Sequence, residues 1–252
     1  MRPWAVVPRS IRHAMLNRLR ACGITLTTTA AAPRAPVEDD ADFLSLCSDL
    51  AVERLFTTYT AIRHVVRNAI PGDCVECGVY QGRHGVMMAR TLLAGGIRDR
   101  DLVMYDSFGG MVPPPGEHDY PGAQTEANRQ FAIGKWQRRK PVEMAEVHAR
   151  LTSTGYPAEH IHCIKGDVRE TIPGGYRHQQ IALLRLDTGF YESTRHELQH
   201  LYDLVPSGGV IIIDDYGRWH GAKKAVDDFW AALSKAPMLV RTDASEHVCV
   251  KP

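Results

Sequence analysis

Apolar residues fall into two patterns along this chain. Short apolar runs recur at "CVECGV" (74–79), "DLVMYD" (101–106), "IHCIKGD" (161–167), "IALLRLD" (181–187) and "GVIIIDDY" (209–216). They predict strands. Between them lie longer segments with helical spacing: "RHGVMMARTLLAGG" (83–96), "PVEMAEVHARLTSTGY" (141–156), "STRHELQHLYDLV" (193–205) and "GAKKAVDDFWAALS" (221–234). Upstream, Leu55, Tyr59, Ile62 and Val66 mark one stripe of a helix spanning roughly 42–69, which Pro71 and Gly72 end. "MLVRT" (238–242) and "HVCVK" (247–251) predict a closing pair of strands.

Strands alternating with helices make a mostly parallel α/β sheet with helices on both faces. Right-handed crossovers bring the carboxyl ends of the parallel strands to one edge, where ligands bind. Acids and glycines gather at those ends: Glu76 to Gly82, Asp106, Gly166 and Asp167, Asp187, and Asp214 with Asp215. Residues 1–40 predict a helical and linker extension: an arginine-broken amphipathic helix, then an Ala/Pro/Thr-rich linker. The main α/β domain of 41–252 would then carry an N-terminal lid helix at 41–70 and a polar insertion at 107–136.

Composition narrows the partners. The chain has 252 residues, 44% hydrophobic and 23% charged, with a net charge of +1. No global field draws in nucleic acid or an anionic membrane, which leaves a small molecule or protein. No apolar run is long enough to span a bilayer, and the first residues lack a signal-peptide core. The N-terminal helix is expected to pack on the domain or on a second subunit of a homo-oligomer. Cys74 and Cys77 form a CxxC within a strand, so their side chains face opposite ways, and no second pair completes a zinc site. The pattern suits a reducing cytoplasm.

The turns suggest chemistry. Gly78 and Gly82 permit a tight turn and close backbone approach to a ligand. Arg83 and His84 follow at a helix N-terminus, whose amides favour an anion such as a carboxylate. Asp106 is placed to accept hydrogen bonds from both hydroxyls of an adenosine ribose, and Gly166-Asp167 to border the adenine. This outlines S-adenosylmethionine (SAM). NAD is the second choice, because its GxGxxG fingerprint is absent. Asp187, Asp214 and Asp215, without a soft ligand, suit a hard cation such as Mg²⁺.

"VECGVYQG" (75–82), "YDSFGGM" (105–111), "KGDVRETIP" (165–173), "LLRLDTGFYESTRHELQHLY" (183–202) and "IIIDDYGRWHGAKKAVDDF" (211–229) resemble the macrocin and mycinamicin sugar O-methyltransferases and the related aminocoumarin enzymes. The resemblance implies a Rossmann-like class I SAM-dependent methyltransferase fold, a Mg²⁺ site of Asp187, Asp214 and Asp215, and a sugar hydroxyl of a secondary metabolite as acceptor. On the cofactor side it implies Glu76, Gly78, Gly82, Asp106, Ser107, Asp167 and Asp187, with Tyr59 and Thr60 from the helix before the first strand. Two positions depart. Gly189 stands where the family places a second acid, its general base, and Gly109 stands where it has Glu. His220, His118 or Asp187 would then serve as base. Otherwise the acceptor is more acidic, or the chain has left methylation for another reaction, such as a cyclase or isomerase, or for binding.

Overall fold

The computed structural model describes residues 52–111, 117–119 and 140–252. These fall within one compact unit, residues 45–252. The N-terminal extension, the first part of the lid helix and most of the insertion lie outside the described residues.

The elements follow the apolar pattern. Helix α1 (Val52–Arg67) precedes β1 (Asp73–Cys77), α2 (Arg83–Ala94) and β2 (Leu102–Asp106). A 3-10 turn at Glu117–Asp119 lies in the insertion. Then come α3 (Met144–Thr152), β3 (Ile161–Lys165), the short α4 (Val168–Thr171), β4 (Ile181–Leu186), α5 (Tyr191–Leu201), β5 (Val210–Ile213), α6 (His220–Ala231), β6 (Val240–Arg241) and β7 (His247–Val250).

The strands form one sheet in the order β3-β2-β1-β4-β5-β7-β6. All neighbours are parallel except the β5–β7 and β6–β7 pairs. The central strands are apolar on both sides because helices cover both faces. One core contains Cys74, Met104, Leu183 and Ile212; the other contains Cys77, Val103, Leu184 and Ile211. The two thiols of the CxxC are thus buried in different cores and remain free. Chain order reverses between β1 and β4, so a crevice opens beyond their carboxyl ends.

Two helix starts differ from the sequence pattern. Helix α3 begins at Met144, after Pro141, because Glu143 is extended. Helix α5 begins at Tyr191 rather than Ser193, and its cap comes from outside the segment. The inward side of α1 is Leu55, Thr58, Ala61, Ile62 and Val65, with Tyr59 and Val66 on its flanks.

On α5, Glu197 is fully buried. It accepts a hydrogen bond from Thr188 Oγ1 at 3.2 Å, and among the described residues it forms no ion pair. Burial, helped by the nearby Asp167 and against the Thr188 bond, raises its carboxyl well above the usual 4.5. Below about pH 4.5 folded and unfolded chains both hold this proton. As pH rises from there towards the folded value, only the unfolded chain releases it, so stability falls. Glu197→Gln is therefore expected to raise Tm at pH 8, by about 2–4 °C for each kcal/mol recovered. The gain should vanish near pH 4.5. An equal gain at both pH values in thermal scans would refute a protonated Glu197.

Candidate functional site

The site is organised around one arginine. Arg185 interrupts the apolar β4 and has no exposed surface. Its Nε donates to Glu76 Oε1 (3.2 Å) at the end of β1, and Nη1 donates to Glu246 Oε2 (2.9 Å) in the turn before β7. Its Nη2 donates to Asp187 Oδ2 (2.9 Å) and lies 3.1 Å from Asp214 Oδ1. One guanidinium, with its fixed fork of donors, thus ties together four segments.

Helix α1 supplies a second cation. Arg54 Nη1 donates to Asp214 Oδ2 at 2.9 Å, and Nε donates to Asp243 Oδ2 at 2.7 Å. Thr58, one turn on, lies 2.8 Å from His84 Nδ1, whose Nε2 accepts from Arg185 Nη2 at 3.0 Å. Burial, then Arg185, lowers the His84 pKa well below its ordinary value. His84 is therefore a neutral clamp on Arg185, not a charge for an anion at the start of α2.

Asp187, Asp214 and Asp215 each offer a carboxylate oxygen within 4.8 Å of the others, the one such His/Cys/Asp/Glu group among the described residues. Asp214 is nearly enclosed, whereas about a quarter (26%) of the Asp187 side chain is exposed, so the group opens on that side. Burial opposes ionisation of Asp214, but Arg185 and Arg54 outweigh it and hold its carboxyl down at about 2. Burial, then the Asp214 charge, pushes Asp215 up to about 8 and raises Asp187 as well. Burial also lifts Glu76 to about 8 and Glu246 to about 7 against the pull of Arg185. Six carboxyls here face two guanidiniums. The all-oxygen donor set and its unmet negative charge fit a hard divalent cation.

The neighbouring turns form a backbone cradle. Asp106 Oδ2 accepts from Val79 N (2.7 Å) and Tyr80 N (2.8 Å), and Oδ1 accepts from Phe108 N (2.7 Å). Asp106 therefore also fastens the turn after β1. A Cβ on Gly78 would run into the Asp187 carbonyl, so only glycine lets these turns approach so closely. Glu76 Oε2 is buried with no hydrogen-bond partner. Gly82 directly precedes α2. Ser107 Oγ donates to Gly110 O at 3.3 Å, and the position of Gly109 has room for a side chain.

The other expected residues have local partners. Asp167 caps α4 and pairs with Arg169. Tyr59 accepts from Arg63, and the Thr60 hydroxyl donates back to Phe56 O and Thr57 O. Arg54, Thr57 and Thr58, on the same helix, make bonds that lead to the acids. His220 opens α6 with Nδ1 3.0 Å from His118 O. Gly189 has φ +75, and a Cβ there would lie 3.0 Å from Asp215 Oδ2 and 3.4 Å from the Trp219 ring.

A model of the macrocin O-methyltransferase family matches residues 8–245. The chain belongs to the macrocin O-methyltransferase family. As a member it is an enzyme, a SAM-dependent O-methyltransferase. It is similar to the demethyldecarbamoylnovobiocin O-methyltransferase of Streptomyces niveus, 32% identical over 77% of this chain and 71% of that protein. It is also similar to the mycinamicin III 3''-O-methyltransferase of Micromonospora griseorubida, 27% identical over 76% of this chain and 74% of that one. The O-methyltransferase NovP superposes with a TM-score of 0.70 at 30% identity, over 79% of this chain and 80% of that chain. The calicheamicin methyltransferase CalS11 shares the fold, with a TM-score of 0.66 at 21% identity over 97% and 94% of the two chains. A non-methylating role finds no support among these family relatives. Among the described residues, no helix is long and apolar enough to cross a membrane.

Sequence reasoning missed Arg54, Arg185 and Glu246. A signal existed for Arg185, a single charge inside "IALLRL", where a strand buried on both faces should carry none unless it is paired.

Proposed function

We propose that this chain methylates a sugar hydroxyl of an antibiotic-type secondary metabolite, using SAM and a divalent cation, with Mg²⁺ the natural choice. The observation that carries the reading is the carboxylate trio at the switch point, beside a glycine turn held by Asp106. By their names, the curated relatives methylate demethyldecarbamoylnovobiocin and mycinamicin III, which supports an antibiotic-type acceptor here.

SAM, when bound, supplies the methyl group from its sulfonium sulfur and leaves as S-adenosylhomocysteine. The turn from Gly78 to Gly82, with Glu76, Asp106 and Ser107, would seat it, Asp106 accepting from the ribose hydroxyls and Asp167 bordering the adenine. Tyr59 and Thr60 would come over it from α1. Asp187, Asp214 and Asp215 would hold the cation, which lowers the pKa of the acceptor hydroxyl. His220 would take the hydroxyl proton in place of the acid absent at Gly189. Its Nδ1 faces a carbonyl oxygen, so the neutral ring keeps its proton there and presents its basic nitrogen at Nε2.

Titration of SAM and of Mn²⁺ in separate calorimetric arms tests this site. The parent chain is expected to bind both. Asp106→Ala should weaken SAM about ten- to a hundredfold through lost charge-assisted bonds, while keeping Mn²⁺. Asp215→Asn should weaken Mn²⁺ and keep SAM. A parent chain that binds no SAM sinks the cofactor assignment, and one that binds no Mn²⁺ sinks the metal assignment.

A further inference from the structure

Among the described residues of the segment between β2 and α3, Asp119 brings a buried carboxyl to the site region. Asp119 is 1% exposed. Its Oδ1 accepts from Tyr191 N, the first amide of α5, at 2.8 Å. A Cβ on Gly221, in the first turn of α6, would run into the same oxygen. The carboxyl therefore lies against the start of both helices. Neither helix has a side-chain cap of its own, since Phe190 and Trp219 occupy those positions. Amides at a helix N-terminus carry partial positive charge and favour a carboxylate there.

Its neighbour is engaged as well. The His118 ring packs 4.5 Å from that of Tyr191, and the His118 carbonyl faces His220 Nδ1. The two helix starts are also joined to the turn after β4. Gly189 O accepts from Ala222 N at 3.2 Å, and Trp219 meets Phe190 edge-on at 5.7 Å. The turn from Asp187 to Phe190, the start of α5 and the start of α6 thus form one joint, and Asp119 sits inside it.

We propose that Asp119 is a positioning residue for the methyl-transfer site: a cap shared by α5 and α6 that fixes the turn carrying Asp187 and Gly189, and also His220. The significance of this joint rests on the function proposed above, but the test does not depend on it.

The full chain labelled with 5-fluorotryptophan reports the joint without any ligand. Of its four tryptophans, Trp219 lies within the joint and Trp230 lies at the far end of α6, 3.3 Å from Pro237 O. Fluorine NMR of Asp119→Ala is expected to show a shifted or broadened Trp219 resonance and an unmoved Trp230 resonance. Asp119→Asn, which keeps an acceptor for Tyr191 N–H, should restore the parent Trp219 signal. Gly221→Ala should move the Trp219 resonance at least as far as Asp119→Ala does, because the added carbon evicts the carboxyl and also crowds Tyr191 N. The double variant should look like Gly221→Ala, and Asp119→Asn is the variant that isolates the carboxyl's own part. If Asp119→Ala does not fold, the Gly221→Ala and Asp119→Asn spectra decide alone. An unmoved Trp219 resonance in Asp119→Ala or Gly221→Ala overturns the proposal, as does a displacement in Asp119→Asn equal to that in Asp119→Ala. Loss of SAM or metal binding in the parent would count against the proposed function and leave this result standing.

Discussion

Arg185→Met is expected to lower folding stability by about 3–5 kcal/mol, the usual cost of removing one partner from a buried ion pair. Methionine fills much of the same space, so a cavity contributes little. The damage is electrostatic. Glu76 and Glu246 are as deeply buried as Arg185 itself and would lose the cation they pair with. Asp214 would keep Arg54 alone. Domains are stable by only about 5–15 kcal/mol, so a large part of the total is at stake. Urea unfolding at pH 7.5 measures the loss. It should shrink at pH 5, where the acids raised by burial hold their protons in any case. Arg185→Lys is expected to fall between the two, since a point charge cannot reproduce the fork. A methionine variant as stable as the parent chain at pH 7.5 would show that the acids are neutral there and that Arg185 is not their counter-charge.

Gly189→Asp is expected to raise turnover on a demethylated aminocoumarin or macrolide sugar by setting a carboxylate base beside Asp187, whereas His220→Ala in the parent chain, which removes the substitute base, is expected to cost about 10²-fold or more. The backbone permits the change at modest cost, because Asp tolerates the left-handed region better than most residues. The new side chain begins 3.0 Å from Asp215 Oδ2, so Asp215 must shift by a few tenths of an ångström. It also sets another carboxylate beside one that burial and Asp214 already push up to about 8. Without a divalent cation the variant should melt below the parent chain, and added Mg²⁺ should narrow the difference. Release of S-adenosylhomocysteine, followed with each sugar, gives the rates. A parent chain that already works at ordinary enzyme rates, and that the aspartate slows, would show that no acid is needed at this position.

The sequence reveals the order of elements because each is set by local apolar spacing. It reveals Asp187, Asp214 and Asp215 for a topological reason: parallel strands deliver their carboxyl ends to one edge, whatever lies between them. The same logic cannot find Arg54, Glu246 or Asp119. Arg54 comes from the helix before the sheet, and Glu246 from a turn between the last two strands. Asp119 caps a helix 72 residues further along. Their roles depend on the closed fold and leave no trace in local spacing. His84 shows the opposite hazard. Its place at a helix start suggests a cation, but three-dimensional burial against Arg185 removes the charge.

The dependence of Arg185 on Glu246 also constrains biosynthesis. A ribosome releases β4 long before it releases the turn that carries Glu246 and Asp243. Until that turn emerges, the nascent chain holds a guanidinium with part of its shell absent. The acid-rich end of the sheet can therefore lock only after the turn carrying Asp243 and Glu246 has left the ribosome. A chain cut short before residue 243 would keep every strand-end aspartate and still lack the two acids that complete the charge lattice beneath them.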